Sequence, residues 1–178
     1  MKRSLLPSVL AVLGLVLAGA NPDPAYRDVA LNPGDAHGAG HGYPHATSNS
    51  ETRNEPCYWA INAIKGYRDN RHHGPQYPSW GPEQRTDLWW KVDFGRAVEV
   101  DQVVLLIRAD FPHDGTWHAA TLEFSDRSKV RIEIKKTADP QAFRFPRRKT
   151  EWVKIADLEQ DLPLMWCALT AVEVWGRD

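Results

Sequence analysis

The stretch Thr121–Lys135, TLEFSDRSKVRIEIK, decides how the rest of the chain is read. In its second half Val130, Ile132 and Ile134 alternate with Arg131, Glu133 and Lys135. A period of two puts the aliphatic residues on one face and the charges on the other, the mark of a half-buried strand. In the first half Leu122 and Phe124 point to the same apolar side. The intervening SDRS has the residues that reverse a chain through side-chain to backbone hydrogen bonds. The stretch therefore predicts an antiparallel hairpin with one face in a core.

Outward from this hairpin the same grammar repeats. DLWWKVDFG, VEVDQVVLLIR, FRFP, EWVKIADL and ALTAVEVWG read as further strands separated by Gly, Pro and Asp, with Asp93 and Gly95 forming a tight turn between the first two. Only AINAIKG has a helical look, and it spans one or two turns. Many short strands without a repeat predict an all-β sandwich or barrel. Trp80 and Trp90 have the size to dominate its core, and Trp175 is placed there too.

The N-terminal region is different. Residues 1–20, MKRSLLPSVLAVLGLVLAGA, combine Lys2 and Arg3 with an apolar run and a small Ala-Gly-Ala site, the pattern of a cleaved signal peptide. This predicts a secreted or periplasmic protein, and no other segment is long and apolar enough to span a membrane. Residues 21–42 are rich in Pro, Gly, Ala and His, and read as an irregular arm before a domain at 43–178. His37, His41 and His45 recur every four residues, but the glycines and proline between them forbid a helical metal face. Losing Lys2 and Arg3 lowers the basic count from 22 to 20 against 23 acids, a net charge of −3 that argues against a nucleic-acid partner. Cys57 and Cys167 are the two cysteines. In an exported chain an even pair favours a disulfide, two buried thiols being the alternative.

No catalytic signature is present, neither G-x-S-x-G, H-E-x-x-H, a Gly-rich phosphate loop nor C-x-x-C, and nothing points to a cofactor. Asp110 and Asp114 share one short loop, whereas the paired acids of a glycosidase flank the scissile bond from both sides. The expectation is a non-enzyme. That loop, RADFPHDGTW, is richer than a reversal requires. Arg108, Asp110, His113, Asp114 and Trp117 offer forked donors, acceptors and an aromatic plane, which suits a glycan with vicinal hydroxyls and an apolar C–H face. Phe111 is the rival plane, and His73 and Tyr77 are placed on the opposite wall. The bland alternative is a surface ion pair between Arg108 and Asp110.

Taken in order, ATSNSE, AINAIKG, PSWGP, LWWKVDFG, VVLLIRAD, LEFSD, EWVKI and AVEVWG resemble the discoidin, or coagulation factor 5/8 type C, domain, over residues 43–178. This group of galactose-binding-like jelly rolls includes the carbohydrate-binding modules of family 32. The resemblance implies a sandwich of about eight antiparallel strands, adjacent termini that would suit a Cys57–Cys167 bridge, and a glycan bound by loops at one end, with Arg108 at the family's sugar-contacting arginine. The alternative partners it implies are other secreted or envelope proteins. Two departures stand out. Gly81 follows Trp80 where such modules often carry a sugar-binding His, a role that falls to His72 or His73. The structural calcium of the family lacks both acids, since Lys65 and Ala171 stand in their places. Calcium takes six to eight oxygen ligands, so no metal is expected, and Lys65 is expected to supply a built-in charge instead; a shifted site built on Asp69 and Glu173 is the alternative.

Overall fold

A computed structural model describes residues 23–38, 40–71, 77–160 and 165–178. The predicted signal peptide and His73 lie outside the described residues. Among the described residues there are seven antiparallel strands: β1 Arg27–Asp28, β2 His45–Ser48, β3 Trp90–Ile107, β4 Ala119–Phe124, β5 Lys129–Glu133, β6 Gln141–Glu159 and β7 Leu169–Arg177. The strand order is β1-β7-β3-β6-β4-β5, and β2 shares with β7 the edge of β3 that faces away from β6.

The predicted hairpin is β4–β5, with Leu122 opposite Val130 and Ala120 opposite Ile132. Ile132 and Ile134 are buried, while Lys129, Arg131 and Glu133 are exposed. Elsewhere the expected strands fuse. DLWWKVDFG and VEVDQVVLLIR are one strand, β3, and FRFP and EWVKIADL are one strand, β6. Asp93 and Gly95 do not end a strand. The β3–β6 ladder shifts register between Asp93 and Val98, and both strands continue. Before that break β3 pairs with β2, and beyond it with β7. Register shifts of this kind let a strand bend from one layer of a sandwich to the other.

The core lies between the layers and holds Trp80, Trp90, Phe94, Phe124, Leu105, Ile155 and Leu169. Burying side chains of this size contributes about 1.5–3 kcal/mol each relative to exposure. AINAIKG becomes a short 3-10 helix, Ala60–Ile64, whose residues are all buried. Trp175 departs from the expected core position. It is half-buried, tilted against Tyr26 and packed on Val104, Leu106 and Ala171.

The N-terminal arm is irregular in backbone yet built into the domain. Val29 and Ala30 are fully buried, and β1 pairs Arg27 with Gly176, so the two ends of the described chain adjoin. The three histidines use protein partners: His37 Nε2 lies 2.9 Å from Glu51, His45 Nδ1 lies 2.8 Å from the buried Asp35, and His41 stacks on His45. Among the described residues no helix is long and apolar enough to cross a membrane.

Candidate functional site

Ile107 pairs with Leu169 at the end of the β3–β7 ladder, so the chain leaving β3 and the chain entering β7 emerge side by side. Between them and the turns at 52–58 and 81–83 lies a cavity of about 270 Å³. Arg108, His113 and Asp114 line it, together with Thr52, Arg53, Tyr58, Pro82, Glu83, Trp166 and Cys167.

Its floor is a buried ion pair. Arg108 is 4% exposed and Asp114 3% exposed, with Arg108 Nε at 3.1 Å from Asp114 Oδ2. The Nε–H is not aligned along that line, so the contact is charge–charge rather than a linear hydrogen bond. The Tyr58 hydroxyl is also hydrogen-bonded to the Arg108 side chain, and burial raises its pKa against the pull of that cation. Asp114 is heavily committed, since Oδ2 also accepts the Asp110 N–H (2.8 Å) and Oδ1 lies 3.1 Å from His113 Nδ1. The Asp114 N–H donates back to Asp110 O (3.0 Å), which closes the loop on itself. Two buried charges hold only when each satisfies the other, and this reciprocal bracing supplies that condition.

The ion pair of this loop is therefore Arg108–Asp114, not Arg108–Asp110. Asp110 is half-buried and does not line the cavity. Trp117 is not a stacking plane. It is 1% exposed and stacks on Trp80 inside the core, ring centroids 5.8 Å apart. Strict alternation from Leu122 and Phe124 would put Trp117 on the other face, but the β4–β6 ladder shifts register between Ala119 and Thr121, just after it. The rival Phe111 is half-buried beneath the Lys136 ammonium, 4.7 Å from its ring centroid. Tyr77 sits edge-on to Tyr67 and does not line the cavity.

The exposed aromatic is one that sequence reasoning missed. Trp166 is 41% exposed on the cavity wall. It is held there by the Gly115 N–H, which donates to Trp166 O, and by the Arg108 N–H, which donates to Ala168 O (2.9 Å). A Cβ on Gly115 would sit 2.5 Å from Met165 Cβ, so this close approach requires glycine. Gly81 has a similar use. A Cβ there would lie 2.7 Å from Tyr58 Cδ1, so the position that lacks a histidine makes room for the Tyr58 ring. The available signal for Trp166 was its place in the connection to the last strand, at the same end as Arg108.

The expected Cys57–Cys167 disulfide is corrected by the structure: both are free thiols. Cys57 faces Glu55, Sγ to Oε2 4.0 Å, from its own 3-10 turn. Cys167 is turned beneath Gly115 toward Gln160, Sγ to Oε1 3.8 Å. Burial and the neighbouring Asp114 push the Cys167 thiol up to about 12, so it stays neutral.

The residues where the resemblance would put a calcium ion do not fit a divalent ion. Glu173 is already paired with Arg68 and accepts the Trp175 Nε1–H (2.9 Å). Ala171 is buried against Val104 and Leu106. The cation that meets Glu173 is Arg68; Lys65, where a built-in charge was expected, closes the 3-10 turn through its backbone N–H on Asn62 O (3.3 Å). Beside this pair, burial pushes the Asp28 carboxyl up to about 6, against the opposing pull of the Val174 and Ala30 N–H groups. Among the described residues no group of three or more His, Cys, Asp or Glu is arranged to hold a metal.

No protein-family model and no curated sequence matches the chain. Solved structures do. A fucose binding module of Streptococcus pneumoniae, SpX-3, superposes with a TM-score of 0.61 at 14% identity, covering 85% of this chain and 99% of that one. A chitosan-binding module from the chitosanase/glucanase of Paenibacillus sp. IK-5 superposes at 0.59 and 18% identity, covering 85% and 99%. The family 32 carbohydrate-binding module of C. perfringens NanJ, solved with galactose, superposes at 0.55 and 14%, covering 73% and 91%. Antiparallel layers, strands that pass between them and adjoining ends are thus the galactose-binding-like jelly roll of these carbohydrate-binding modules, and this chain has that fold.

Proposed function

We propose that the chain is a non-catalytic glycan-binding module acting outside the cytoplasm, and that the cavity between Arg108 and Trp166 is its sugar site. The observation that carries this is the pairing of a braced polar floor, Arg108–Asp114 with Tyr58, and an exposed indole wall. Floor and wall match the two faces of a sugar ring, its hydroxyls and its C–H groups. Asp114 is committed to Arg108, His113 and a backbone N–H, which leaves it poorly suited to shuttle a proton and fits a binding role. Glycans of several kinds are bound by the structural neighbours, among them galactose and the Lewis b antigen. At about 270 Å³ the cavity lies near the lower limit of ligand pockets, roughly 300–1,000 Å³. That size fits one sugar residue with much of its surface in water. Binding in the micromolar to millimolar range is expected, about −4 to −8 kcal/mol. The signal-peptide pattern at residues 1–20 supports a place for such a module in the periplasm or the medium.

The test is calorimetric titration with galactose, fucose, glucosamine, the Lewis b oligosaccharide and the chitosan tetramer. Trp166→Ala and His113→Ala are the variants, both at exposed side chains, so the fold should survive. Trp166→Ala should weaken binding at least about tenfold, equivalent to about 1.4 kcal/mol. The reading fails if no glycan binds, or if both folded variants bind as the parent does.

A further inference from the structure

A second cavity, of about 450 Å³, lies beside the first, and the two share one wall. Thr52 and Arg53 face the first cavity, while Ser50, Glu51 and Asn54 face the second. The wall is therefore a single turn, and its backbone is unusual. Arg53 and Asn54 are consecutive non-glycine residues at φ 49° and 53°. That left-handed conformation is sparsely populated outside glycine, and it concentrates at ligand clamps and active sites.

The ridge is pinned from both sides. From the first cavity, Glu83 Oε1 accepts the Arg53 N–H at 2.8 Å. Behind the second cavity, the Trp59 Nε1–H donates to Asn54 Oδ1 (3.0 Å) and leans on Asn54 O (3.2 Å). Glu51 accepts the Ala60 N–H through Oε1 (2.7 Å) and holds His37 Nε2 at 2.9 Å through Oε2. His37 in turn stacks on Trp59, centroids 4.1 Å apart and planes 14° from parallel. The lining of the second cavity is polar and hydroxyl-rich, with Thr47, Ser48 and Asn49 from the edge strand β2 and its continuation opposite His37. Arg53 stands over the crest with its side chain mostly exposed.

We infer that the second cavity is a further subsite, and that the chain recognises an extended oligosaccharide running from the Arg108–Trp166 cavity over the Arg53–Asn54 ridge into the His37–Thr47 cavity. A lone terminal sugar would leave the second cavity unused. The inference rests on the glycan reading of the first cavity. A rigid crest between two polar hollows fixes the path of a linked chain in a way that two unconnected pockets do not, because linkage makes the second contact intramolecular.

The experiment compares glucosamine with its β-1,4-linked tetramer, and fucose with the Lewis b oligosaccharide, reading affinity and the indole N–H signals of Trp166 and Trp59 by NMR. Trp166→Phe and Trp59→Phe assign those signals. An oligosaccharide should bind at least about tenfold more tightly than its monosaccharide. It should shift both indoles, whereas the monosaccharide shifts Trp166 alone. In the double variant His37→Ala/Thr47→Val the oligosaccharide should fall to the monosaccharide's affinity, with monosaccharide binding unchanged. A Trp166 shift with the Trp59 signal unmoved by either oligosaccharide overturns the second subsite and leaves the first standing. If neither indole moves with any probe, the glycan reading falls and takes this inference with it.

Discussion

Two charged sites, each with a buried carboxylate, sit at different places in this sandwich and solve the same problem in different ways. At the loop end, Arg108 is inside the protein with Asp114 as its counter-charge and with Tyr58 and the Asp110 N–H completing the set. At the seam where β1 meets β7, Arg68 pairs with Glu173, but the neighbouring Asp28 has two backbone N–H donors and, among the described residues, no ion pair of its own. The first site fixes its two charged groups against each other. The second holds a carboxyl that favours its proton, with a pKa of about 6. A buried charge is tolerated when its environment was built for it, and the loop end meets that condition where the seam meets it in part.

The largest expected effect breaks the first site. Arg108→Ala leaves Asp114 buried without its cation and should cost about 3–5 kcal/mol in chemical denaturation. Replacing both partners, Arg108→Met with Asp114→Leu, should cost clearly less, because no charge is then stranded. Equal losses in the two variants would mean that the pair matters only for packing.

The next effect sharpens the contrast at the seam. Asp28 has a folded pKa above its unfolded value of 3.8, so the folded state binds the extra proton between the two values. Its stabilising contribution is complete below pH 4 and is lost as pH rises through 6. Asp28→Asn keeps the acceptor for the Ala30 and Val174 N–H groups and removes the charge. It should be more stable than the parent at pH 8 by about 1–3 kcal/mol, with the difference vanishing near pH 4. Urea denaturation at the two pH values checks this, and a gain that persists in acid would contradict it.

Smaller still is Trp166→Ala. The residue lies outside the core, so its removal should change stability by no more than about 0.5 kcal/mol while the loss of glycan binding remains large. The smallest effect is that of metal. Because Arg68 occupies Glu173, chelator and added calcium should leave Tm within about 1–2 °C of each other, whereas a bound ion would stabilise the fold by mass action. A clear fall in chelator, restored by calcium, would show that oxygen ligands elsewhere take the ion.

Much of the fold was legible because strands announce themselves locally. The alternation of Val130, Ile132 and Ile134 with charged neighbours is a property of adjacent residues, and the structure buries and exposes them accordingly. Strand ends were less legible. Asp93 and Gly95 have the composition of a turn, yet the β3–β6 ladder shifts register and carries on past them, which only the partner strand determines. Of the site, Arg108, His113 and Asp114 were found because one loop carries them all. Trp117 was misplaced for a related reason: sequence shows that an aromatic is present but not which way its ring turns, and here it turns onto Trp80.

By itself, then, the sequence determined the antiparallel layers, the core indoles Trp80 and Trp90, and the loop that carries the buried arginine. These follow from periodicity and residue chemistry over a few positions. Tertiary structure alone decided that Trp166 stands beside Arg108, that Tyr58 fills the space left open at Gly81, that Arg68 and not Lys65 meets Glu173, and that Cys57 and Cys167 remain thiols. Each of those depends on segments far apart in the chain meeting at one end of the sandwich, and the β3–β7 register and two glycines set how closely they approach.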